Sequence, residues 1–184
     1  MNVFKISVLG STRGSNLPGL YQKLLNTSAK IVDVLSDKPH AGILQKAKQL
    51  GLSNCYIPIV NFEKKLNAHL INNGTDLLVL IGFMKILSPF FVSRWRNKII
   101  NVHPSLLPKY AGLMNLNVHR AVLDAKEIQT GCTVHWVTEQ VDAGAVILQK
   151  KCDVFLSDHL EILKERVQQL EIPALVEAIE KIRG

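Results

Sequence analysis

The sequence has 184 residues, 47% of them hydrophobic, which is enough for one soluble domain with a substantial core. The formal net charge is +7, but the basic residues are scattered without a block of five like charges, which argues against a nucleic-acid-binding arm and favours small anionic ligands. The three cysteines, Cys55, Cys132 and Cys152, lack CxxC or zinc-site spacing and are expected to be reduced thiols in a cytosolic protein, and no apolar run approaches the roughly 20 residues of a membrane helix.

Strand-like and helix-like segments alternate along the chain. Strands are predicted for residues 3–9, 31–35, 55–59, 77–81, 99–102, 132–137 and 146–154. Helices are predicted for residues 17–25, 43–50, 62–72, 118–125 and 159–182, the last of them kinked or split by Pro173. This alternation predicts a single-domain, Rossmann-like, doubly wound α/β fold, with a mostly parallel sheet and helices on both faces. In such folds ligands bind beyond the C-terminal ends of the strands.

A glycine-rich loop, residues 10–16, connects the first predicted strand to the first helix. Gly10-Ser-Thr-Arg-Gly14-Ser-Asn exposes backbone N–H groups at a helix N-terminus, an arrangement that attracts phosphate. Its spacing is neither GxGxxG nor a Walker A motif, so binding of a dinucleotide or a nucleoside triphosphate is not supported. A phosphate site and a plain tight turn are equally good interpretations of this loop alone.

A second loop, residues 81–89, leaves the predicted central strand with apolar side chains. Ile-Gly-Phe-Met-Lys-Ile-Leu-Ser-Pro has the composition to wall a pocket for a flat aromatic ligand. The alternative is ordinary core packing at the edge of a helix.

A third motif places an amide and an imidazole near one strand end. Alternation along the strand puts Asn101 and His103 on the same face, where both can point at one carbonyl oxygen. Pro104 favours an extended backbone at His103 and so fixes the direction of its side chain. The competing interpretation is a satisfied structural histidine.

A fourth candidate is Asp142, in the polar segment 138–144. Its carboxylate could orient and charge the His103 imidazole, which would suit proton transfer at an acyl carbon. The alternative is a solvated turn, since aspartate before glycine is common in turns. His119 and His135 are expected to be structural, and His40, His69 and His159 to lie at the surface.

In combination, these motifs resemble the formyltransferases that use 10-formyltetrahydrofolate, and within them the branch that formylates glycinamide ribonucleotide in purine synthesis. The resemblance extends from the first strand to about Glu171. It is carried, in order, by Gly82-Phe-Met-Lys-Ile-Leu-Ser-Pro, Asn101-Val-His-Pro-Ser-Leu-Leu-Pro-Lys-Tyr, Gly131-Cys-Thr-Val-His-Trp-Val-Thr and Asp142-Ala-Gly-Ala-Val-Ile-Leu-Gln.

The resemblance implies a role for each matching position. The catalytic group is Asn101, His103 and Asp142. Glycinamide ribonucleotide is bound by Gly14, Ser15, Asn16, Gln168 and Glu171. The folate is bound by Met84, Lys85, Ile86, Leu87, Asn101, Thr138, Glu139, Gln140, Val141 and Asp142. The family also implies a cis peptide bond at Leu107-Pro108.

The chemistry of the residues agrees with these implied roles. Formyl transfer to an amine passes through a tetrahedral oxyanion, which Asn101 and a protonated His103 can stabilise by hydrogen bonds. The charge of Asp142 is expected to raise the pKa of His103, and a water beside Asp142 can carry the proton. The reaction requires no metal.

Other interpretations remain open within this framework. The alternatives are a formyltransferase for another amine, such as an amino-sugar nucleotide, and a non-catalytic folate-binding relative. We expect one formyltransferase domain over residues 1–184, without the extra C-terminal domain of methionyl-tRNA formyltransferases or the N-terminal regulatory domain of formyltetrahydrofolate hydrolases. The expected partners are small-molecule substrates, with neither nucleic acid nor membrane, for a cytoplasmic monomer or homodimer.

Overall fold

A computed structural model of the protein describes residues 3–184. They form two compact units, divided between Asn101 and Val102. The elements are β1 (Phe4–Leu9), α1 (Leu17–Leu24), β2 (Ala29–Ser36), α2 (Gly42–Gln49), β3 (Asn54–Tyr56), α3 (Phe62–Asn72), β4 (Leu77–Leu80), α4 (Pro89–Arg94), β5 (Ile99–His103), α5 (Leu116–Asp124), β6 (Gln129–Trp136), β7 (Val146–Asp153) and α6 (Leu160–Arg183). Every predicted strand and helix is present, with ends displaced by at most three residues.

The sheet confirms the predicted fold class. Its strand order is β3-β2-β1-β4-β5-β6-β7. The pairs β1–β2, β2–β3, β1–β4 and β4–β5 are parallel, whereas β6–β7 is antiparallel. Within the first unit the chain moves outward from β1 to β3 and then returns to the other side of β1, so that a topological switch point lies between β1 and β4. Ligands of open α/β sheets bind beyond the carboxyl ends of the strands at such a point.

The central strands of the first unit are covered on both faces. All residues of β4 are buried, and so are residues 6–9 of β1. Because successive side chains of a strand point to opposite faces, this burial requires packing layers on both sides of the sheet. The strand ends, and the loops that follow them, are therefore fixed by a well-packed core.

One helix was not predicted from the sequence. Helix α4 has six residues and begins after Ser88, whose hydroxyl accepts a hydrogen bond from the backbone N–H of Phe91 over 3.2 Å. Pro89 occupies the first turn, where its missing N–H costs nothing. This cap and proline pattern stabilises a helix that is too short to show a hydrophobic period.

Pro173, which is predicted to kink or split the last helix, does not split it. Helix α6 extends from Leu160 to Arg183 as one element. An internal proline costs a helix about 3 kcal/mol. Fully buried side chains lie on both sides of it, including Leu163, Val167, Leu175 and Ile179. Because burying one such side chain contributes about 1.5–3 kcal/mol, their packing exceeds the cost of the proline.

Among residues 3–184, no helix combines the length and the apolar character that crossing a lipid bilayer requires.

Candidate active site

The loops that follow β1 and β4 are joined by hydrogen bonds within the first unit. The backbone N–H of Ser11 donates to the carbonyl of Gly82 over 3.1 Å. The backbone N–H of Met84 donates to the Ser11 hydroxyl over 3.0 Å. The loop predicted to bind phosphate and the loop predicted to bind folate are therefore one connected structure.

The phosphate-type loop requires glycine at position 14. Gly14 has a φ of +61°, and a Cβ atom there would lie 2.5 Å from the Cβ of Ile43. The chain then enters α1, where the backbone N–H of Leu17 donates to the Gly14 carbonyl over 3.1 Å. Asn16 is buried at the N-cap position without a side-chain capping bond, and Ser15 is exposed. The loop therefore enters α1 through a glycine-dependent turn, and its ligand stays a prediction.

A buried carboxylate that sequence analysis did not single out connects the same two loops. Asp37, at the end of β2, has a fully buried side chain that accepts a hydrogen bond from the Ser11 hydroxyl over 2.6 Å. Its other oxygen lies 3.1 Å from the ammonium of Lys85. The same ammonium lies 5.4 Å from the ring centroid of Phe62. The charge of Lys85 is thus neutralised by Asp37.

The four residues predicted to line the folate site differ in exposure. Ile86 is 69% exposed, whereas Leu87 is 6% exposed and belongs to the core. Met84 and Lys85 are half-buried. A ligand at this loop would meet the side chain of Ile86 and the backbone, rather than a continuous apolar wall.

The second unit brings His103 and Asp142 together. Asn101 and His103 are the third and fifth residues of β5, and strand alternation places them on one face. The Nδ1 atom of His103 lies 3.4 Å from Oδ2 of Asp142. The Nε2 atom of His135, on β6, lies 3.6 Å from Oδ1 of the same carboxylate. The predicted pair is therefore a cluster of one carboxylate between two imidazoles.

The predicted effect of Asp142 on the pKa of His103 is confirmed, but the net shift of this pKa has the opposite direction. Burial of the imidazole is the largest influence and lowers its pKa below the ordinary value. The Asp142 carboxylate raises the pKa, as predicted, and so does a hydrogen bond to the backbone of Tyr110, but neither offsets burial. His135 lowers the pKa of His103 further. The resting imidazole of His103 is therefore neutral at neutral pH.

The Nε2 atom of His103 is buried and has no hydrogen-bond partner within the described part of the chain. Such atoms are rare in folded proteins, because an unpaired buried polar group costs about 1–3 kcal/mol. With Nδ1 facing Asp142, Nε2 is the position left for a ligand.

Asp142 projects inward from an otherwise exposed turn. The hydroxyl of Thr138 donates to the carbonyl of Gln140 over 3.0 Å. Glu139, Gln140 and Val141 are exposed. Asp142 itself has a φ of +53°, and its side chain is only 11% exposed. The turn places the carboxylate beside the histidines and leaves its other side chains toward solvent.

The predicted acceptor residues Gln168 and Glu171 lie on α6. Their spacing of three residues puts them on one side of the helix, and both are half-buried. The charge of Glu171 raises the pKa of Cys132, which places it close to β6.

Sequence analysis missed the contact of His135 with Asp142. The Nδ1 atom of His135 lies 3.0 Å from the carbonyl of Trp136, and the side chain is 2% exposed. Its position on the strand before the Asp142 turn was the available signal. His119 is buried too, and its Nδ1 atom has no partner among residues 3–184.

The cysteines carry no disulfide. Cys132 is buried, Cys55 and Cys152 are half-buried, and each is a free thiol. Burial raises the pKa of Cys132 to about 12, so this thiol stays protonated. In the described range no three His, Cys, Asp or Glu side chains converge as metal ligands.

Comparison with known proteins gives the same family over nearly the whole chain. Residues 4–179 match the family model described as formyl transferase. The phosphoribosylglycinamide formyltransferase of Haemophilus influenzae is 39% identical in an alignment that covers 91% of this chain and 81% of that protein. The trifunctional purine biosynthetic protein adenosine-3 of Gallus gallus is 39% identical over 98% of this chain, which spans only 18% of that relative's length.

A solved structure agrees. The crystal structure of phosphoribosylglycinamide formyltransferase from Anaplasma phagocytophilum superposes with a TM-score of 0.90 at 33% identity. The match covers 96% of this chain and 85% of that one.

Proposed function

We propose that this chain, which belongs to the formyl transferase family, transfers the formyl group of 10-formyltetrahydrofolate to the amine of glycinamide ribonucleotide in purine nucleotide synthesis. The acceptor is inferred from the names of relatives such as the Haemophilus influenzae protein, of which the chain covers 81%. We treat residues 1–184 as one formyltransferase domain, because the family match at residues 4–179 extends into both compact units.

The proposal rests on the contacts of the two ring nitrogens of His103. Its Nδ1 atom lies 3.4 Å from Asp142, and its buried Nε2 atom has no partner in the described chain. A histidine held at one nitrogen by a carboxylate, with no protein partner at the other, suits proton transfer to a bound substrate. A purely structural histidine would be expected to use both nitrogens.

The proposed reaction begins with attack of the acceptor amine on the formyl carbon. The carbonyl oxygen becomes an oxyanion in the tetrahedral intermediate, to which we assign Asn101 and His103 as hydrogen-bond donors. Loss of one such donor typically costs about 2.7–4 kcal/mol of transition-state stabilisation. The bond between the carbon and N10 then breaks, and the proton lost by the amine ends on N10, which releases formylated product and tetrahydrofolate.

The electrostatics suggest when His103 becomes charged. Burial lowers its pKa, so the imidazole starts neutral and Nε2 can accept the amine proton. Asp142 stabilises the resulting imidazolium, and the protonated Nε2 can then donate to the oxyanion. Asp142 therefore supports proton transfer through His103, with the proton passing finally to N10.

The remaining predicted residues are assigned to the two substrates. For glycinamide ribonucleotide we propose Gly14, Ser15, Asn16, Gln168 and Glu171. For the folate we propose Met84, Lys85, Ile86, Leu87, Asn101, Thr138, Glu139, Gln140, Val141 and Asp142. The positive φ of Gly14 and the adjoining N-terminus of α1 support a phosphate at the first of these sets.

The proposal also covers the setting of the reaction. The chain would act in the cytoplasm, where free thiols such as Cys132 persist. Its partners would be the two small molecules, with neither nucleic acid nor membrane, and with no metal assigned a role. A monomer and a homodimer are both compatible with the proposal.

A direct assay tests this function. Purified protein incubated with 10-formyltetrahydrofolate and glycinamide ribonucleotide should release tetrahydrofolate together with formylated ribonucleotide, identified by mass spectrometry. Omission of the acceptor is the control for simple hydrolysis. If an amino-sugar nucleotide is formylated and glycinamide ribonucleotide is not, the acceptor assignment is wrong while the transferase assignment stands. Folate binding without any transfer would contradict both.

A further inference from the structure

The loop after β5, residues 104–113, holds both members of the His103–Asp142 pair through its backbone. The imidazole of His103 lies 3.4 Å from Asp142, and interaction with the backbone of Tyr110 raises its pKa. The backbone N–H of Gly112 donates to Oδ2 of Asp142 over 2.9 Å. The orientation of both side chains therefore depends on where the backbone of residues 110–112 lies.

The first half of this loop is anchored by buried hydrogen bonds to β6. The backbone N–H of Leu107 donates to the Thr133 hydroxyl over 3.0 Å, and this hydroxyl donates to the Ser105 carbonyl over 2.6 Å. From β7, the side-chain amide of Gln149 donates to the Leu107 carbonyl over 2.9 Å. The Leu107-Pro108 bond in this half is cis, as predicted.

The second half has a different support. Lys109 is exposed, and Tyr110 and Gly112 have φ values of +64° and +80°, the left-handed region that is unfavourable for tyrosine. A carboxylate outside the loop accepts hydrogen bonds from two of its side chains. Oε1 and Oε2 of Glu127 lie 2.8 and 3.0 Å from Nζ of Lys109, and Oε1 also accepts from the Tyr110 hydroxyl over 3.0 Å.

Glu127 is suited to this task by its chemistry and its position. It lies in the short connection between α5 and β6, so it is fixed by elements other than the loop it holds. Hydrogen bonds from Lys109 and Tyr110 lower its pKa, so it stays ionised at neutral pH. A carboxylate has two acceptor oxygens, whereas a glutamine amide has only one.

We propose that Glu127 is a positioning residue, which fixes the backbone of residues 110–112 by holding Lys109 and Tyr110 and thereby aims His103 and Asp142. Glu127 touches no reacting atom in this scheme. The inference rests on the proposed function for the roles of His103 and Asp142, but the geometry that it concerns exists in the free protein.

The test compares Glu127→Ala and Glu127→Gln with Glu177→Gln. Glu177 accepts a hydrogen bond from the Lys150 side chain over 2.8 Å in another exposed pair of the same unit, and this bond involves no residue of the loop. Because a displacement of about 1 Å can cost about 100-fold in rate, a partial release should lower kcat about tenfold in Glu127→Ala. KM for both substrates should stay near wild type, Glu127→Gln should be intermediate, and Glu177→Gln should match wild type.

A second readout does not depend on turnover. The imidazole of His103 faces Asp142, His135 and His119, and its hydrogen bond to Tyr110 raises its pKa. In Glu127→Ala the NMR titration of His103 should therefore shift to lower pH, with no such shift in Glu177→Gln. Tyr110→Phe, which removes only the hydroxyl, should shift it in the same direction by less, and it decides the question if Glu127→Ala does not fold.

The outcomes separate the two proposals. An unshifted His103 titration in Glu127→Ala, or in Tyr110→Phe where that variant decides, would overturn the positioning role whatever the assay of the wild-type protein shows. A shifted titration in a wild-type protein that transfers no formyl group would leave the positioning role standing and defeat the proposed function. Equal losses of kcat in Glu127→Ala and Glu177→Gln would also overturn the inference, because they would show a non-specific effect of removing surface charge.

Discussion

The two compact units each contain a carboxylate that is largely shielded from water, but the two carboxylates face different kinds of basic group. Asp37 in the first unit faces the ammonium of Lys85 at 3.1 Å. Asp142 in the second unit faces the imidazoles of His103 at 3.4 Å and His135 at 3.6 Å. Asp37 is thus paired with an ammonium, whereas Asp142 is paired with two imidazoles, which can gain or lose a proton.

This difference indicates a structural role for the charge of Asp37 and a catalytic role for the charge of Asp142. The ammonium of Lys85 offers only hydrogen-bond donors, so its contact with Asp37 is a simple ion pair. An imidazole can both accept and donate a proton, so the surroundings of Asp142 can exist in more than one charge state. Asp37 is therefore suited to holding two loops together, and Asp142 to stabilising a proton as it moves.

The largest effect that follows from this comparison is expected for Asp142→Asn. The amide keeps the shape and can still accept the hydrogen bond from Gly112, but it cannot stabilise a charged His103. General acid–base catalysis contributes about 10²–10⁴-fold, so we expect a loss of kcat in this range. Single-turnover formyl transfer measures it, with circular dichroism to verify the fold.

The matched control is Asp153→Asn, at the exposed end of β7. It removes the same charge from the same unit and should leave kcat unchanged. A similar rate in Asp142→Asn and in the wild-type protein would show that Asp142 is a second structural carboxylate like Asp37.

An intermediate effect is expected on the stability of the protein in acid, and it arises from histidines of the second unit. Burial lowers the pKa of His119 to about 4 from an ordinary value of 6.5, and it lowers those of His103 and His135 as well. The unfolded chain therefore binds protons that the folded chain does not, so stability is lost as the pH falls from 6.5 toward the folded-state pKa. His119 alone accounts for about 3 kcal/mol of this loss of stability near pH 4.

Urea unfolding of the wild-type protein and of His119→Leu at pH 7 and pH 5 measures this share. The variant should lose less stability between the two pH values, by about 2 kcal/mol. If both proteins lose the same stability between pH 7 and pH 5, His119 is protonated in the folded protein. The contrast between the neutral imidazoles of the second unit and the Asp37–Lys85 ion pair would then not hold.

Most of the fold could be predicted from the sequence, since each strand and helix carries its own hydrophobic pattern. The exceptions have local physical reasons. Helix α4 is only six residues long, and the Ser88-Pro89 pair was the signal for it. Pro173 predicts a kink or a split, and α6 is not split because the burial of its side chains, which sequence does not show, offsets the cost of the proline.

The site was predictable only in part. Strand alternation alone places Asn101 and His103 on one face of β5. The contact of Asp142 with the backbone of Gly112 joins residues 30 positions apart, and no sequence period encodes such a contact. The direction of the pKa shift at His103 depends on burial relative to the charge of Asp142, which is a property of the packed structure.

The smallest effect on catalysis is expected for Asp37→Asn. The Lys85 side chain is 31% exposed, so its ammonium can turn to water when its partner is neutralised. The hydrogen bond from Ser11 would lose its charged acceptor and weaken, which typically costs about 1 kcal/mol. The backbone N–H of Met84 donates a hydrogen bond to the Ser11 hydroxyl, so this change should also displace the predicted folate loop. We therefore expect a higher KM for the folate and a kcat near wild type, measured by steady-state kinetics.

The double variant Asp37→Asn with Lys85→Met sharpens this test. Lys85→Met alone leaves an unpaired buried carboxylate and should be the least stable of the three proteins in urea, because a charge without a partner is costly. The double variant should recover much of that loss, since replacement of both members of a buried pair is often close to neutral. A fall of kcat in Asp37→Asn as large as in Asp142→Asn would erase the distinction between the two carboxylates, and would make Asp37 part of the chemistry.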